Sequence, residues 1–310
     1  MKKLILIFLV SFFVSCISED VDFRGIGDTE INIYLVEDGQ LGYFTSEVNF
    51  DTISLEPTPW LKNSEIEFYD WSAHIFYLNT KKEKGKYAGR HFVVKEEFRN
   101  SLQNENLFIG MFFSMYMSSI PQIPSILATD DFFTPADVVS FGHFGSYLPG
   151  NLDNQTEFKE ALLSSGLFHE GIQVEMLKID RKSSSTLSYT IRVTNNDTRN
   201  IYVLDPNKMG AGRFHYYTNG VSLRKDNVSY YSQDESISSS EIKGSWYYKL
   251  APQKSMVRTI TLDGYSNLPT GEVHFHFSFP GSNVDAGEWK KSDGRIWLGN
   301  KFIEGDVKLN

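Results

Sequence analysis

The chain has 310 residues, of which 39 are acidic and 30 are basic, and its formal net charge is −9. A protein binds nucleic acid by neutralising phosphates with Lys and Arg, so this balance argues against a nucleic-acid function and disfavours docking on an anionic membrane face. Hydrophobic residues make up 41% and aromatic residues 15% of the chain, enough for a substantial core, and the abundance of Phe and Tyr favours strands. The length suggests two domains.

The first residues have the pattern of a secretory signal. Lys2 and Lys3 give a charged start, an apolar run covers residues 4–14, and Ser15 precedes Cys16. Because the pattern ends on a cysteine rather than on a small-x-small site, it resembles the signal of bacterial lipoproteins. That resemblance implies that the thiol of Cys16 is lipidated and that this residue becomes the new N-terminus. The alternative is a buried or dispensable cysteine beside a cleaved signal.

The lipoprotein resemblance implies a signal peptide at 1–15 and a lipidated cysteine with a tether at 16–28. The apolar run is too short to span a bilayer as a helix, which needs roughly 20 residues, so acyl chains must provide the anchor. Acidic residues within 17–22 are either a plain polar tether or an export tag, since they resemble the export signal of Bacteroidota surface lipoproteins. We therefore expect a protein that is lipid-anchored to the outer membrane, on its surface or its periplasmic face.

Residues 29–150 are predicted to form a β-rich domain of the α+β type. Its predicted strands are Glu30–Val36, His74–Leu78 and His91–Lys95. Trp60–Tyr69 favours a short helix. Leu107–Met117 is apolar throughout and fits either a central strand or a buried helix, because length alone does not separate the two.

A resemblance to uncharacterised secreted bacterial proteins covers Pro59–Ile126. The matching stretches are Glu65–His74 and Ile109–Ser114. The resemblance carries no known chemistry, so it implies nothing about activity.

One helix is predicted between the two halves, over Gln155–Ser165, with Asn154 as its cap and Gly166 as its stop. Its apolar stripe consists of Phe158, Ala161 and Leu162. We assign residues 151–170 to a linker helix.

Residues 171–310 are predicted to form an antiparallel β-sandwich. The alternating strands are Leu187–Val193, Ile201–Leu204, Met256–Leu262 and Glu272–Phe279. The pattern of Thr190–Asn195 followed by Leu250–Ser255 resembles an immunoglobulin-like module, although the disulfide and core tryptophan of antibody domains are missing. Ile296–Leu298 is expected to close the sheet or cover an edge. The predicted fold class is therefore mainly β, or α+β, with an immunoglobulin-like second domain.

His274 and His276 are the weak candidates for a metal site. They lie two residues apart in a predicted strand and so share one face, while Val273, Phe275 and Phe277 take the other. Zinc needs a third or fourth ligand, and the remaining histidines show no ligand spacing relative to these two. Outward-facing histidines on a half-buried strand explain the pattern more simply, so no metal and no cofactor are predicted.

Aromatic doublets in the second domain are the candidates for ligand binding. The residues concerned are Tyr216, Tyr217, Tyr230, Tyr231 and Trp246, with Arg213 beside them. If the doublets lie in strands, one ring of each faces outward and can form a platform on which sugar rings stack. The alternative is that they are ordinary residues of a half-buried sheet. The stretch Gly210–Arg213 is predicted to be a loop that lines the platform or simply turns a hairpin.

No catalytic residue is predicted. The paired acids Asp130-Asp131 and Asp234-Glu235 lie in polar stretches, where carboxylates are usually solvated. The turn Asn195–Asp197 could offer oxygen ligands to calcium, but one turn supplies too few, which favours a plain turn. The chain has no nucleophile elbow, phosphate-binding loop or dinucleotide fingerprint.

The sequence therefore predicts a lipid-anchored envelope protein of non-enzymatic type that binds a glycan or a protein partner. The alternative is a structural or assembly component of the envelope with no small ligand. A secreted hydrolase whose site forms only in space is the least favoured interpretation.

Overall fold

The computed structural model describes residues 27–37, 53–99, 104–114, 116, 123–128, 135–142, 152–233 and 242–310. Strands account for 49% and helices for 14% of the structure, which confirms a mainly β fold built from antiparallel sheets. Several predicted features lie outside the described residues: Cys16 with the signal and most of the tether, and the acid pairs Asp130-Asp131 and Asp234-Glu235.

The first half contributes short strands to two sheets. The strands are β1 (Thr29–Leu35), β2 (Ile66–Asp70), β3 (Ile75–Leu78), β4 (His91–Phe98), β5 (Asn104–Phe113), β6 (Ser125–Leu127) and β7 (Val138–Ser140). One sheet has the order β1-β4-β5-β6. The other has the order β7-β3-β2-β8, where β8 (Phe168–His169) comes from beyond the helix and runs parallel to β2.

The predicted helix over Trp60–Tyr69 is wrong. Only Asn63–Glu65 is helical, as a single 3₁₀ turn, and β2 follows it directly. Leu107–Met117 falls largely in β5, which settles the alternative in favour of a strand. Within β5 the main chain passes so close to a ring of β4 that a Cβ on Gly110 would lie 2.2 Å from the Phe92 side chain.

The helix predicted over Gln155–Ser165 is present as α1 (Thr156–Ser165), but its N-cap is Gln155, and the predicted cap Asn154 lies instead in the 3₁₀ turn Leu152–Asn154. Gly166 ends α1 with a left-handed φ of 74°, which a residue without Cβ adopts easily. Phe158, Ala161 and Leu162 are fully buried against the first half.

The second half forms three sheets around one core. Its strands are β9 (Ile172–Arg181), β10 (Leu187–Asn195), β11 (Asn200–Leu204), β12 (Ser222–Lys225), β13 (Val228–Tyr230), β14 (Tyr247–Leu250), β15 (Ser255–Leu262), β16 (Gly271–Phe279), β17 (Lys290–Lys291), β18 (Gly294–Ile296) and β19 (Lys301–Leu309). The sheet orders are β15-β10-β9, β14-β11-β18-β17 and β13-β12-β16-β19, and β19 lies against β9. The arrangement is sandwich-like, and the immunoglobulin-like type stays a prediction.

Two short helices interrupt these sheets, α2 (Pro206–Met209) and α3 (Ala211–Thr218). The prediction that Gly210–Arg213 is a loop is wrong beyond its first residue, and the strand predicted for Tyr216-Tyr217 is wrong as well. Packing decides the conformation, since Phe214 and Thr218, four residues apart on one helical face, are both buried.

The sheet β7-β3-β2-β8 is buried on both faces. In β3, Ile75 and Tyr77 point into the core of the second half, whereas Phe76 and Leu78 point into the core of the first. Such a strand shows a continuous apolar run instead of alternation. The two cores therefore share one sheet, and the predicted division at residues 150–170 stays a prediction about folding units.

Among the helices that the described ranges contain, none has the length and apolar character needed to cross a membrane.

Candidate functional site

A hairpin near the C-terminus joins the second half to the shared sheet. It is formed by β17 and β18 and carries Trp289 before the first strand. The Trp289 ring lies edge-on to Tyr77 and Phe68, with centroid separations of 4.6 and 5.9 Å. Its Nε1 donates to Asp137 Oδ2 at 2.9 Å, and the backbone N–H of Gly287 donates to the same oxygen at 2.8 Å. The hairpin is thus held by both ring packing and hydrogen bonds.

A buried ion network lies under the same hairpin. Arg295 of β18 donates to Asp197 Oδ2 at 2.5 Å and to Asp70 Oδ2 at 2.7 Å, and its guanidinium carbon lies 4.8 Å from the centre of the Phe68 ring. His169 Nδ1 lies 2.8 Å from the other oxygen of Asp197. All three members of the ion pairs are at least 97% buried. The network therefore ties β2, β8, β18 and the turn after β10 into one unit.

Ser72 extends the network on the side of Asp70. Its hydroxyl donates to Asp70 Oδ1 at 2.7 Å and accepts from the Trp297 Nε1–H at 3.1 Å. The backbone N–H of Ile172 also donates to this hydroxyl at 3.0 Å. The carboxylate of Asp70 is therefore bound on both oxygens.

Asp197 and Arg295 of this network stay charged. Burial raises the pKa of Asp197, but the hydrogen bond from His169 and the charge of Arg295 lower it by more, so that it lies well below its usual range. Burial lowers the pKa of Arg295, and the neighbouring Asp70 and Asp197 carboxylates raise it above its usual range. At neutral pH Asp197 stays ionised and the network acts as a structural clamp.

An open depression beside the hairpin forms what we call the hairpin groove. It has a volume of about 410 Å³ and is lined by Glu67, Phe68, Arg199 and the segment Trp289–Arg295. It lies where β2, the start of β11 and the β17–β18 hairpin meet. Arg295 closes its inner wall, so the groove and the buried network are neighbours.

The acidic side chains of the hairpin groove already have protein partners. Glu67 accepts from Lys290 Nζ at 2.6 Å. Asp293 accepts from the Tyr202 hydroxyl at 2.8 Å and also forms an ion pair with Lys249. These pairs leave other cations of the groove to face solvent.

A second surface surrounds α3. Arg213, Tyr216 and Tyr217 stand at helical spacings of three and four residues, which puts them on one face of the helix. The guanidinium of Arg213 lies 6.0 Å from the centre of the Trp246 ring, and the two tyrosine rings meet edge to face at 5.2 Å. We call these four residues the α3 surface.

The structure thus brings together Arg213, Tyr216, Tyr217 and Trp246. The first three share one face of a helix, whereas a strand was the expected conformation. Tyr216 is 43% exposed, whereas Trp246 is 5% exposed and belongs to the core beneath Arg213, so the prediction that its ring stacks on a sugar is wrong. Tyr230 lies instead on β13, opposite Leu223 of β12, and Tyr231 follows it.

The histidine pair lies on the outer face of β16, as predicted, with Val273, Phe277 and Phe279 buried on the other face. His274 Nδ1 is 3.0 Å from Asp306 and His276 Nδ1 is 3.5 Å from Glu304, both on the adjacent β19. In the part of the chain that the structure describes, no group of three or more His, Cys, Asp or Glu side chains is placed to hold a metal ion.

The Asn195–Asp197 turn, which joins β10 to β11, is held by protein groups. Asn195 Oδ1 accepts from the Asp197 N–H at 2.8 Å, and the Asp197 carboxylate binds Arg295 and His169. This supports the interpretation as a structural turn.

The sequence reasoning missed the hairpin groove and the buried network. Arg295 and Asp70 lie 225 positions apart, and no spacing rule connects residues at that distance. One signal was present, because Arg295 stands directly before the apolar Ile296 and Trp297 in a stretch predicted to be a strand. A charged residue at such a position indicates a buried partner.

No family model matches the chain, and no curated protein or solved structure is significantly similar to it. The observations that bear on function are therefore the α3 surface, the hairpin groove and the buried network between the halves.

Proposed function

We propose that this protein is a lipid-anchored envelope protein of non-enzymatic type that binds a glycan through the α3 surface. The observation that carries the proposal is the gathering of Arg213, Tyr216, Tyr217 and Trp246 around one short helix. A protein partner that presents polar groups to the same surface is the alternative ligand.

The chemistry of the α3 surface suits a sugar ring. The exposed ring of Tyr216 offers an apolar face, and its hydroxyl can exchange hydrogen bonds with sugar hydroxyls. Arg213 supplies further donors, and its position over the Trp246 ring restricts its conformations. A site prepared in this way loses less side-chain entropy when a ligand binds.

Replacing Tyr216 by alanine is expected to weaken glycan binding by about tenfold, since base stacking on aromatic side chains, a comparable ring contact, is worth about 1–3 kcal/mol. Binding would be measured by calorimetry against the best ligand from a panel of immobilised neutral oligosaccharides. Tyr231→Ala is the matched control, because that ring is 57% exposed and lies beyond β13. Equal binding by wild type and Tyr216→Ala would rule out the α3 surface as the site.

The alternative function, a structural component of the envelope, gives a different result in the same experiment. No oligosaccharide of the panel would bind, and the protein would be purified with a stable partner through an interface of at least about 1,000 Å². This outcome would contradict the glycan proposal and leave the lipid anchor untouched.

The lipid anchor has its own test at Cys16. Cys16→Ala removes the only thiol, so the protein is expected to leave the membrane fraction of cells and to lose incorporation of labelled fatty acid. Ser15→Ala is the control that keeps the cysteine. Labelling and membrane association that persist in Cys16→Ala would contradict the proposal. Protease added to intact cells then separates the outer face of the outer membrane from the periplasmic face.

A further inference from the structure

The hairpin groove is positively charged on the surface of an acidic protein. The chain as a whole carries a formal charge of −9, yet Arg199, Lys290, Lys291 and Arg295 all line this one depression. Its volume of about 410 Å³ falls within the range of roughly 300–1,000 Å³ that is typical of small-molecule sites.

Two of these cations have no counter-ion. The side chains of Arg199 and Lys291 are exposed, and within the described ranges neither forms an ion pair or a hydrogen bond. Lys290 is neutralised by Glu67, and Asp293 is bound by Lys249 and the Tyr202 hydroxyl. The groove therefore carries an uncompensated charge on two of the residues that line it, Arg199 just before β11 and Lys291 in the hairpin.

The inner wall adds a buried donor. Arg295 uses its two terminal nitrogens on Asp197 and Asp70, while its Nε is buried and has no hydrogen-bond partner in the described part of the chain. This nitrogen lies beneath the surface of the groove, close to the Tyr77 side chain, whose ring centre is 5.9 Å from the guanidinium carbon. Arg295 therefore forms the inner wall of the groove, while Arg199 and Lys291 are the exposed cations that it offers to a ligand.

We propose that the hairpin groove binds the carboxylate of an acidic sugar, with Arg199 and Lys291 as its charged contacts. A carboxylate suits the bidentate donors of Arg199. The groove also presents the Ser292 hydroxyl and the carboxylates of Glu67 and Asp293, which can accept hydrogen bonds from sugar hydroxyls. Inorganic phosphate has no ring hydroxyls to donate to these acceptors, whereas a sugar acid uses both the cations and the acceptors, which favours the sugar.

This site is distinct from the α3 surface. Gly294 of the hairpin pairs with Asn200 at the first residue of β11, whereas Tyr247, next to Trp246, pairs with Leu204 at the last. The two sites are therefore about 13 Å apart along the strand at the usual rise per residue. Failure of the α3 proposal leaves this one standing, and the reverse also holds.

The test compares three probes on the purified full-length protein: a trimer of galacturonic acid, the matching uncharged galactose trimer, and inorganic phosphate. Calorimetry is expected to show binding of the acidic trimer and none of the neutral one. Arg199→Gln and Lys291→Gln should each weaken that binding by about tenfold, the usual effect of losing one charge-assisted contact. Both residues are exposed, so thermal unfolding of the variants should match the wild type.

Lys308→Gln is the matched control, because it removes an exposed lysine from β19, away from the groove. It should bind the acidic trimer as the wild type does, and so should Tyr216→Ala. Affinity should fall as the salt concentration rises, since the contacts are between charges. Equal binding of the acidic and neutral trimers, unchanged binding in Arg199→Gln and Lys291→Gln, or phosphate binding as tight as that of the acidic trimer would each overturn the proposal.

Discussion

Replacing Arg295 by alanine is expected to lower the free energy of unfolding by about 3–5 kcal/mol, the usual cost of removing one partner of a buried ion pair. The substitution leaves the carboxylates of Asp70 and Asp197 buried without their cation, although both are at least 97% buried. It also removes the guanidinium from the Phe68 ring. Urea unfolding followed by circular dichroism measures the loss.

The matched control is Arg192→Ala. Arg192 pairs with Glu175 at 3.4 Å on the surface, with both side chains about 40% exposed, so this substitution should cost less than about 1 kcal/mol. If both variants unfold at the same urea concentration as the wild type, the buried network is not the clamp that we describe.

The dependence of stability on pH gives a second measure of the same network. In the unfolded chain Asp197 has the ordinary aspartate pKa of about 3.9, whereas the native state holds it well below that range. The stability it contributes is therefore complete above the unfolded pKa and is lost as the pH falls below it. Asp197→Asn should have a lower free energy of unfolding at neutral pH, and that free energy should fall less steeply than in the wild type as the pH is lowered. A variant whose stability depends on acidic pH as steeply as the wild type would contradict this account.

Replacing Trp289 by alanine is expected to cost about 3–5 kcal/mol, as is typical for a large buried aromatic ring. The ring is 1% exposed and fills the space against Tyr77 and Phe68. Its loss leaves a cavity between the hairpin and the shared sheet. It also leaves Asp137 with a single donor, the Gly287 N–H, among the contacts that the structure describes. Denaturant unfolding measures the change.

Trp289→Phe separates the two contributions. It keeps most of the ring packing but removes the N–H donor to Asp137, so it should cost about 1–3 kcal/mol. Tyr116→Ala serves as the control, because that ring is 99% exposed and should change stability little. A Trp289→Phe variant as unstable as Trp289→Ala would show that the hydrogen bond, and not the packing, holds the hairpin.

Alternation of apolar and polar residues in the sequence predicts the strands that have one solvent-exposed face. Leu187–Val193 and Glu272–Phe279 were identified because their inward side chains are apolar and their outward ones polar, and both form strands of the second half. The helix over Gln155–Ser165 was identified from its stripe and its glycine stop. Local sequence patterns are therefore sufficient to predict these strands and this helix.

Two misassigned segments have physical reasons. The helix predicted over Trp60–Tyr69 includes Ile66–Tyr69 of β2, where Phe68 is buried in one core and Ile66 and Tyr69 in the other, so the strand lacks a clear alternation. Aromatic doublets favour sheets, but the burial of Phe214 and Thr218 fixes a helix at Tyr216-Tyr217. In both cases tertiary packing overrides the local preference.

The candidate sites also show that local sequence patterns do not predict what tertiary packing brings together. Arg213, Tyr216 and Tyr217 are neighbours in sequence, so composition alone was enough to single them out. The hairpin groove joins Glu67, Arg199 and Lys291, which lie far apart along the chain and meet only through the order of the strands. No residue pattern encodes that meeting.

The hairpin lies late in the chain but covers a sheet whose strands come from much earlier residues. Until residues 287–297 have been synthesised, the side of the shared sheet that carries Phe68 and Tyr77 has no Trp289 to cover it. A growing chain therefore exposes an aromatic face, and contacts of such long sequence separation form slowly. Truncated chains that end before this hairpin should be prone to aggregation and should depend on chaperones, whereas the complete chain covers that face with Trp289.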